Sequence, residues 1–337
     1  MPTFNILTLD GGGLRGIIPI RILQKVEELT GQRIHETFDM IVGTSTGGLI
    51  AACLTLRDPK DPGQVRYRLV DIADIYIHQG HHIFPIRNGL SKFLHGLATF
   101  FRPAYSPDGL DFVLKQRING QRIKDAIRPI MISTYDLNAN EPVFFKSRQA
   151  ETDEGANARM VDICRATSAA PTYLPAYSFE YKGKKLTGID GGVYVNNPTM
   201  AAIAEISKHG KAGYYKKKDG SPVAFEDMRI LSLGTGTYTG SVTDAQAVRW
   251  GKLAWIKQII EIMMRGVNQS TDYESKEMLD PGKYLRLNVE IYDKQFADMA
   301  DARPETRNHL EWAVMEQVTG NDDVIAKLKV FLEKLST

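Results

Sequence analysis

Three short stretches combine reactive residue types with the spacing that chemistry needs. Gly43-Thr44-Ser45-Thr46-Gly47 has the form G-x-S-x-G, in which a serine rides a sharp turn between a strand and a helix. The small flanking residues let the turn hold a strained backbone that exposes the hydroxyl. Asp10-Gly11-Gly12-Gly13-Leu14-Arg15-Gly16 places consecutive glycines between a β-prone run and a helix-periodic one. With no Cβ in the way, backbone N–H groups there can face a site at the positive end of a helix. They would receive either a phosphate or a developing oxyanion. Asp190-Gly191-Gly192 directly follows another β-prone run, and Asn196-Asn197-Pro198 then opens a helix. An aspartate at a strand end can take a proton from a serine; the plain alternative is a β-turn with the asparagines as caps.

Rival readings of these stretches make predictions of their own. Gly11-x-Gly13-x-x-Gly16 also fits a dinucleotide fingerprint, which calls for an acidic residue at the end of the second strand. That strand instead ends in Val42-Gly43-Thr44-Ser45, with Asp39 at its beginning. A phosphate loop of the G-K-[ST] kind is missing after the glycines. Two adjacent strand-to-helix loops, one rich in donors and one offering a serine, suit acyl transfer better. Its oxyanion donors are each worth about 3 kcal/mol in the transition state. None of the seven histidines follows a strand in the pattern: His309 lies in a polar helical run, and His78, His81 and His82 lack the carboxylate or cysteine of a familiar metal motif.

The elements that must position these groups are legible as alternation. Residues 4–9 read as a strand, Ile17 to Leu29 as a helix ended by Gly31, Phe38 to Val42 as a second strand, and the residues after Gly48 as a short apolar helix. Strand, helix, strand, helix predicts a parallel sheet covered on both faces. A helical excursion is expected at about 58–129. Further strands are expected near 129–135, 142–145, 185–190 and 229–233, helices near 157–168 and 198–208, and a mostly helical part from about 245. With no internal repeat or linker, 1–337 reads as one domain.

Composition narrows the partners. The chain has 337 residues, 43% hydrophobic, with 42 Lys and Arg against 40 Asp and Glu. Disorder and charge-driven nucleic-acid binding are both disfavoured. Two cysteines, Cys53 and Cys164, in apolar helical contexts, make neither a disulfide scaffold nor a four-cysteine zinc site. No secretory leader and no spanning helix is visible, so the expected location is cytoplasmic. Leu90, Phe93, Leu94, Leu97, Phe100 and Phe101 recur at helical spacing. Residues 90–101 are therefore a candidate lid or peripheral membrane contact, against the alternative of a helix packed on the core.

Together, in this order, the three motifs resemble the patatin-like lipid acyl hydrolases. The resemblance extends to the Tyr76–Phe84 segment, to Ala166-Thr167-Ser168-Ala169-Ala170-Pro171-Thr172-Tyr173-Leu174-Pro175, to Leu231–Thr237 and to Tyr284-Leu285-Arg286. It implies a three-layer α/β/α fold with a mostly parallel central sheet. It also implies a phospholipase A-type or esterase activity on acyl lipids, run by a Ser–Asp dyad. By this carry-over Ser45 is the nucleophile and Asp190 the general base. Gly11, Gly12 and Gly13, with Arg15, form the oxyanion hole. Asp10, Gly16, Gly43, Gly47, Gly191 and Gly192 support the motifs, and no metal or cofactor is needed. Burial of Asp190 beside Ser45 is expected to raise its pKa toward neutrality, where a base is useful. One departure is a longer stretch near Gly89–Leu97. Two alternatives stay open here: a catalytically silent storage or binding protein of the same fold, and a nucleotide-activated effector.

Overall fold

The computed structural model describes residues 2–86, 103–118, 120–240, 247–249 and 251–335. The candidate docking stretch 90–101 and the departure near Gly89–Leu97 lie outside the described residues.

The first strands are apolar at every position because both faces of the sheet are covered. β1 (Phe4–Leu9) and β2 (Met40–Thr44) are buried throughout. Their side chains alternate between two separate apolar clusters. Leu7, Leu9 and Ile41 join one cluster, with the helices Ile17–Thr30, Thr46–Thr55 and Met160–Thr167. Phe4, Ile6, Met40 and Val42 join the other, with the helix Thr199–His209. β3 (Ile130–Asp136) and β7 (Met228–Leu233) divide in the same way. The fold is therefore three layers, α/β/α.

β4 (Glu141–Lys146), β5 (Tyr177–Tyr181), β6 (Lys184–Asp190) and β9 (Tyr284–Leu287) complete an eight-stranded sheet, and the short β8 (Thr237–Tyr238) pairs outside it with Glu290–Ile291. Its order is β5-β6-β3-β2-β1-β7-β9, and β4 also pairs with β3. The strands β3, β2, β1, β7 and β9 run parallel. β4 and β6 pair antiparallel to β3. Two of these strands differ from the sequence reading. β5 had no strand assigned to it, since only alternate residues of Tyr177–Tyr181 touch the core at this half-covered edge. β9 lies within the part expected to be mostly helical; four residues between the helices Lys252–Met278 and Pro304–Val314 take their strand character from pairing with β7.

Local signals act where expected. Gly31 ends the first helix in the left-handed conformation, φ 66°. Cys53 and Cys164 are both buried and free. Among the described residues, no helix is long and apolar enough to cross a membrane.

Candidate active site

Ser45 sits between the last residue of β2 and the first of the Thr46–Thr55 helix. Its φ of 52° and ψ of −122° lie outside the regions a side chain favours, as a strained elbow requires. Close packing explains the flanking glycines. A Cβ at Gly43 would stand 2.2 Å from the Gly47 oxygen, and one at Gly47 would stand 2.2 Å from the Leu9 oxygen. The elbow is held by neighbours that the sequence reading left without a role. Ser45 N–H donates to Thr167 Oγ1 at 2.8 Å, and Thr44 Oγ1 donates to the Val195 carbonyl at 2.7 Å.

Asp190 reaches Ser45 through the register of β3. Along one edge of β3, β2 pairs in parallel as far as Thr44 opposite Ser133. On the next residue β6 takes over antiparallel, with Asp190 opposite Thr134. The ends of β2 and β6 thus meet head to head, and Ser45 and Asp190 are neighbours. Asp190 therefore reaches the carboxyl edge of the parallel set from the carboxyl end of an antiparallel strand. Its carboxylate accepts from Gly192 N–H at 2.7 Å, and the Ser45 hydroxyl lies near enough to favour the charged form. Asp190 is 6% exposed and Ser45 8%. Burial pushes the Asp190 pKa up to about 6, and the nearby Ser45 hydroxyl and the Gly192 N–H pull against that rise. Gly191 packs against Ser133, where a Cβ would meet Oγ at 2.2 Å.

The glycine loop lies on the other side of Ser45. Asp10 is buried in a bidentate ion pair with Arg286 of β9, at 2.6 and 3.2 Å. This pair anchors the base of the loop, and its geometry is of the strong fork type. The three glycines are not equivalent. Gly11 N–H donates to the Asn196 carbonyl at 3.2 Å, so it is occupied. Gly12 and Gly13 N–H donate to no protein acceptor among the described residues. Arg15 Nη1 donates to the Ala297 carbonyl at 3.1 Å. Gly16 leads into the Ile17–Thr30 helix and packs against Thr46 and Tyr76, whose hydroxyls share a hydrogen bond.

Ser45 and Asp190 line a pocket that is partly open to solvent. Leu14, Leu49, Ile75, Ile83, Phe84 and Leu110 make its wall predominantly apolar. Among the described residues, no histidine lines it. Among the described residues, no three His, Cys, Asp or Glu side chains converge to hold a metal. A serine hydroxyl on a buried carboxylate, with open backbone donors beside an apolar slot, has the parts for acyl transfer from a lipid ester.

Comparison with known proteins agrees. Residues 7–203 match the family model described as patatin-like phospholipase. Patatin-like protein 1 of Oryza sativa subsp. indica is 36% identical over 310 residues, covering 84% of this chain and 73% of the relative. The chain belongs to the patatin-like phospholipase family. Patatin-like protein 1 of Arabidopsis thaliana is 32% identical, covering 91% of this chain and 78% of the relative. Patatin-2-Kuras 3 of Solanum tuberosum is 32% identical, covering 88% and 79%. Membership carries lipid acyl hydrolase activity in general. The patatin-like matches span most of the chain, including segments whose residues had no role from sequence alone: Thr167, Thr235 and Arg286. Their only signal was that they sit in family-like segments; their work depends on side-chain contacts across the fold.

Proposed function

We propose that this protein hydrolyses acyl esters of phospholipids or related membrane lipids, with residues 1–337 acting as one catalytic domain. Ser45 Oγ attacks the ester carbonyl carbon while Asp190 takes its proton. Gly12 and Gly13 N–H hold the tetrahedral oxyanion. Collapse breaks the bond to the glycerol oxygen, and the leaving alcohol takes the proton back from Asp190. Water then attacks the acyl-enzyme, giving up a proton to Asp190, and the fatty acid leaves with Ser45 restored. The apolar pocket receives the acyl chain, and the protein works from the aqueous side of a lipid surface.

The observation that carries this reading is Ser45 on its strained elbow beside the buried Asp190 carboxylate, both lining one predominantly apolar pocket. The test pairs fluorophosphonate labelling with product analysis on phospholipids whose two chains differ. The parent protein should be labelled and should release one fatty acid preferentially; Ser45→Ala should lose both properties. A folded parent that takes no label and releases no fatty acid would favour the silent storage reading. Release that survives in Ser45→Ala would overturn the assignment of the nucleophile.

A further inference from the structure

We propose that Thr235, seconded by Asn196, is a positioning residue for the oxyanion hole, acting through the carbonyl of Gly11. The Gly11 oxygen accepts from Thr235 Oγ1 at 2.6 Å and from Asn196 Nδ2 at 3.4 Å. Both side chains are buried. The carbonyl of Gly11 and the N–H of Gly12 belong to one planar trans peptide and point in opposite directions. Two hydrogen bonds on the oxygen therefore set the direction of the Gly12 N–H on the far side of the plane. That matters here because a glycine run gives the peptide almost no steric reason to hold one orientation. A donor that swings is a poor oxyanion donor, since its worth depends on being aimed before the charge forms.

The fold brings Thr235 to this place by register. β7 runs parallel to β1 with Leu233 opposite Leu9, so the turn after β7 emerges beside the turn after β1. The approach is close enough that a Cβ at Gly12 would stand 2.2 Å from Thr235 Oγ1. Asn196 is seated in turn: its Nδ2 also donates to Asn268 Oδ1 at 3.0 Å, and its carbonyl accepts from Gly11 N–H. Gly11 is thus held at both of its backbone polar groups, and the next N–H along is left for the substrate.

This inference rests on the reading of Gly12 N–H as an oxyanion donor. The test compares Thr235→Val, which keeps the shape and removes the donor, with Thr235→Ser, which keeps the hydroxyl, and with Ser45→Ala. Each is assayed on a soluble aryl ester and with a trifluoromethyl ketone of matching chain, which forms a tetrahedral oxyanion on a serine. For Thr235→Val, kcat should fall about 10- to 100-fold with KM within about 2-fold, and the ketone should bind correspondingly more weakly. Thr235→Ser should recover to within about 3-fold of the parent, and the urea midpoint should not track the kinetic loss. If Thr235→Val keeps the parent's kcat while Ser45→Ala is inactive, the positioning role is wrong and the hydrolase reading stands. A loss that raises KM equally, follows the urea midpoint and is not rescued by serine would make Thr235 merely structural and overturn the inference. Full activity in Ser45→Ala would instead remove the reading on which the inference rests.

Discussion

Replacing Asp190 with asparagine should abolish activity and stabilise the protein at neutral pH. The carboxyl has an ordinary value of 3.8 and is pushed up to about 6 in the folded chain, mainly by burial. At about 1.4 kcal/mol per unit, keeping it ionised in the fold costs about 3 kcal/mol. The sign follows from proton binding. Between these two values the folded state holds more protons than the unfolded one, so stability is greatest at low pH and falls as pH rises toward 6. Asparagine has the same shape, can still accept from Gly192 N–H, and has no charge to bury. The stability of the variant relative to the parent should therefore grow with pH. Between about pH 4.5 and about pH 7.5 the gain should be about 2 kcal/mol, levelling off above that range. Urea denaturation of both proteins across this range measures it, with kcat/KM on a soluble ester alongside. Loss of the base should reduce kcat/KM by about 100-fold or more. A stability difference that does not change with pH would refute the claim that burial raises this carboxyl. Retained activity would refute its role as base.

The same carboxyl sets a pH limit on the reaction. Since the base must be ionised to take the proton from Ser45, kcat/KM should fall on the acid side with a midpoint near 6, and a limb near the ordinary 3.8 would count against a buried base. At the foot of the glycine loop, Arg286→Met leaves the Asp10 carboxylate buried without its partner, which should cost about 3–5 kcal/mol in a urea melt. Pairing it with Asp10→Asn should recover part of that loss; no recovery would mean that Arg286 stabilises the fold by some route other than this ion pair.

Much of the fold was written in local pattern. Unbroken apolar runs at 4–9 and 38–42, separated by a helix-periodic stretch, can be buried only between two helical layers, and β1 and β2 are so placed. The G-x-S-x-G elbow was equally legible, because its demands are local: a strand, a turn without Cβ atoms at 43 and 47, and a helix. Strands at half-covered or edge positions were not. Tyr177–Tyr181 and Tyr284–Leu287 lack a strong apolar run of their own, and their pairing with β6 and β7 decides their conformation.

From its sequence alone, the chain determined which residues were candidates: the serine on its elbow, the glycine loop and the aspartate after a strand. Only the tertiary structure decided how they act on one another. Residue types cannot say that β2 and β6 meet head to head along β3, yet that register is what puts Asp190 against Ser45. Nor could three consecutive glycines reveal that Gly11 N–H is occupied by Asn196 while Gly12 and Gly13 N–H meet no acceptor among the described residues. The reason is physical. A turn or a helix is stabilised by neighbours in the chain. The direction of an N–H and the proton affinity of a carboxyl are set by whatever the rest of the fold packs around them.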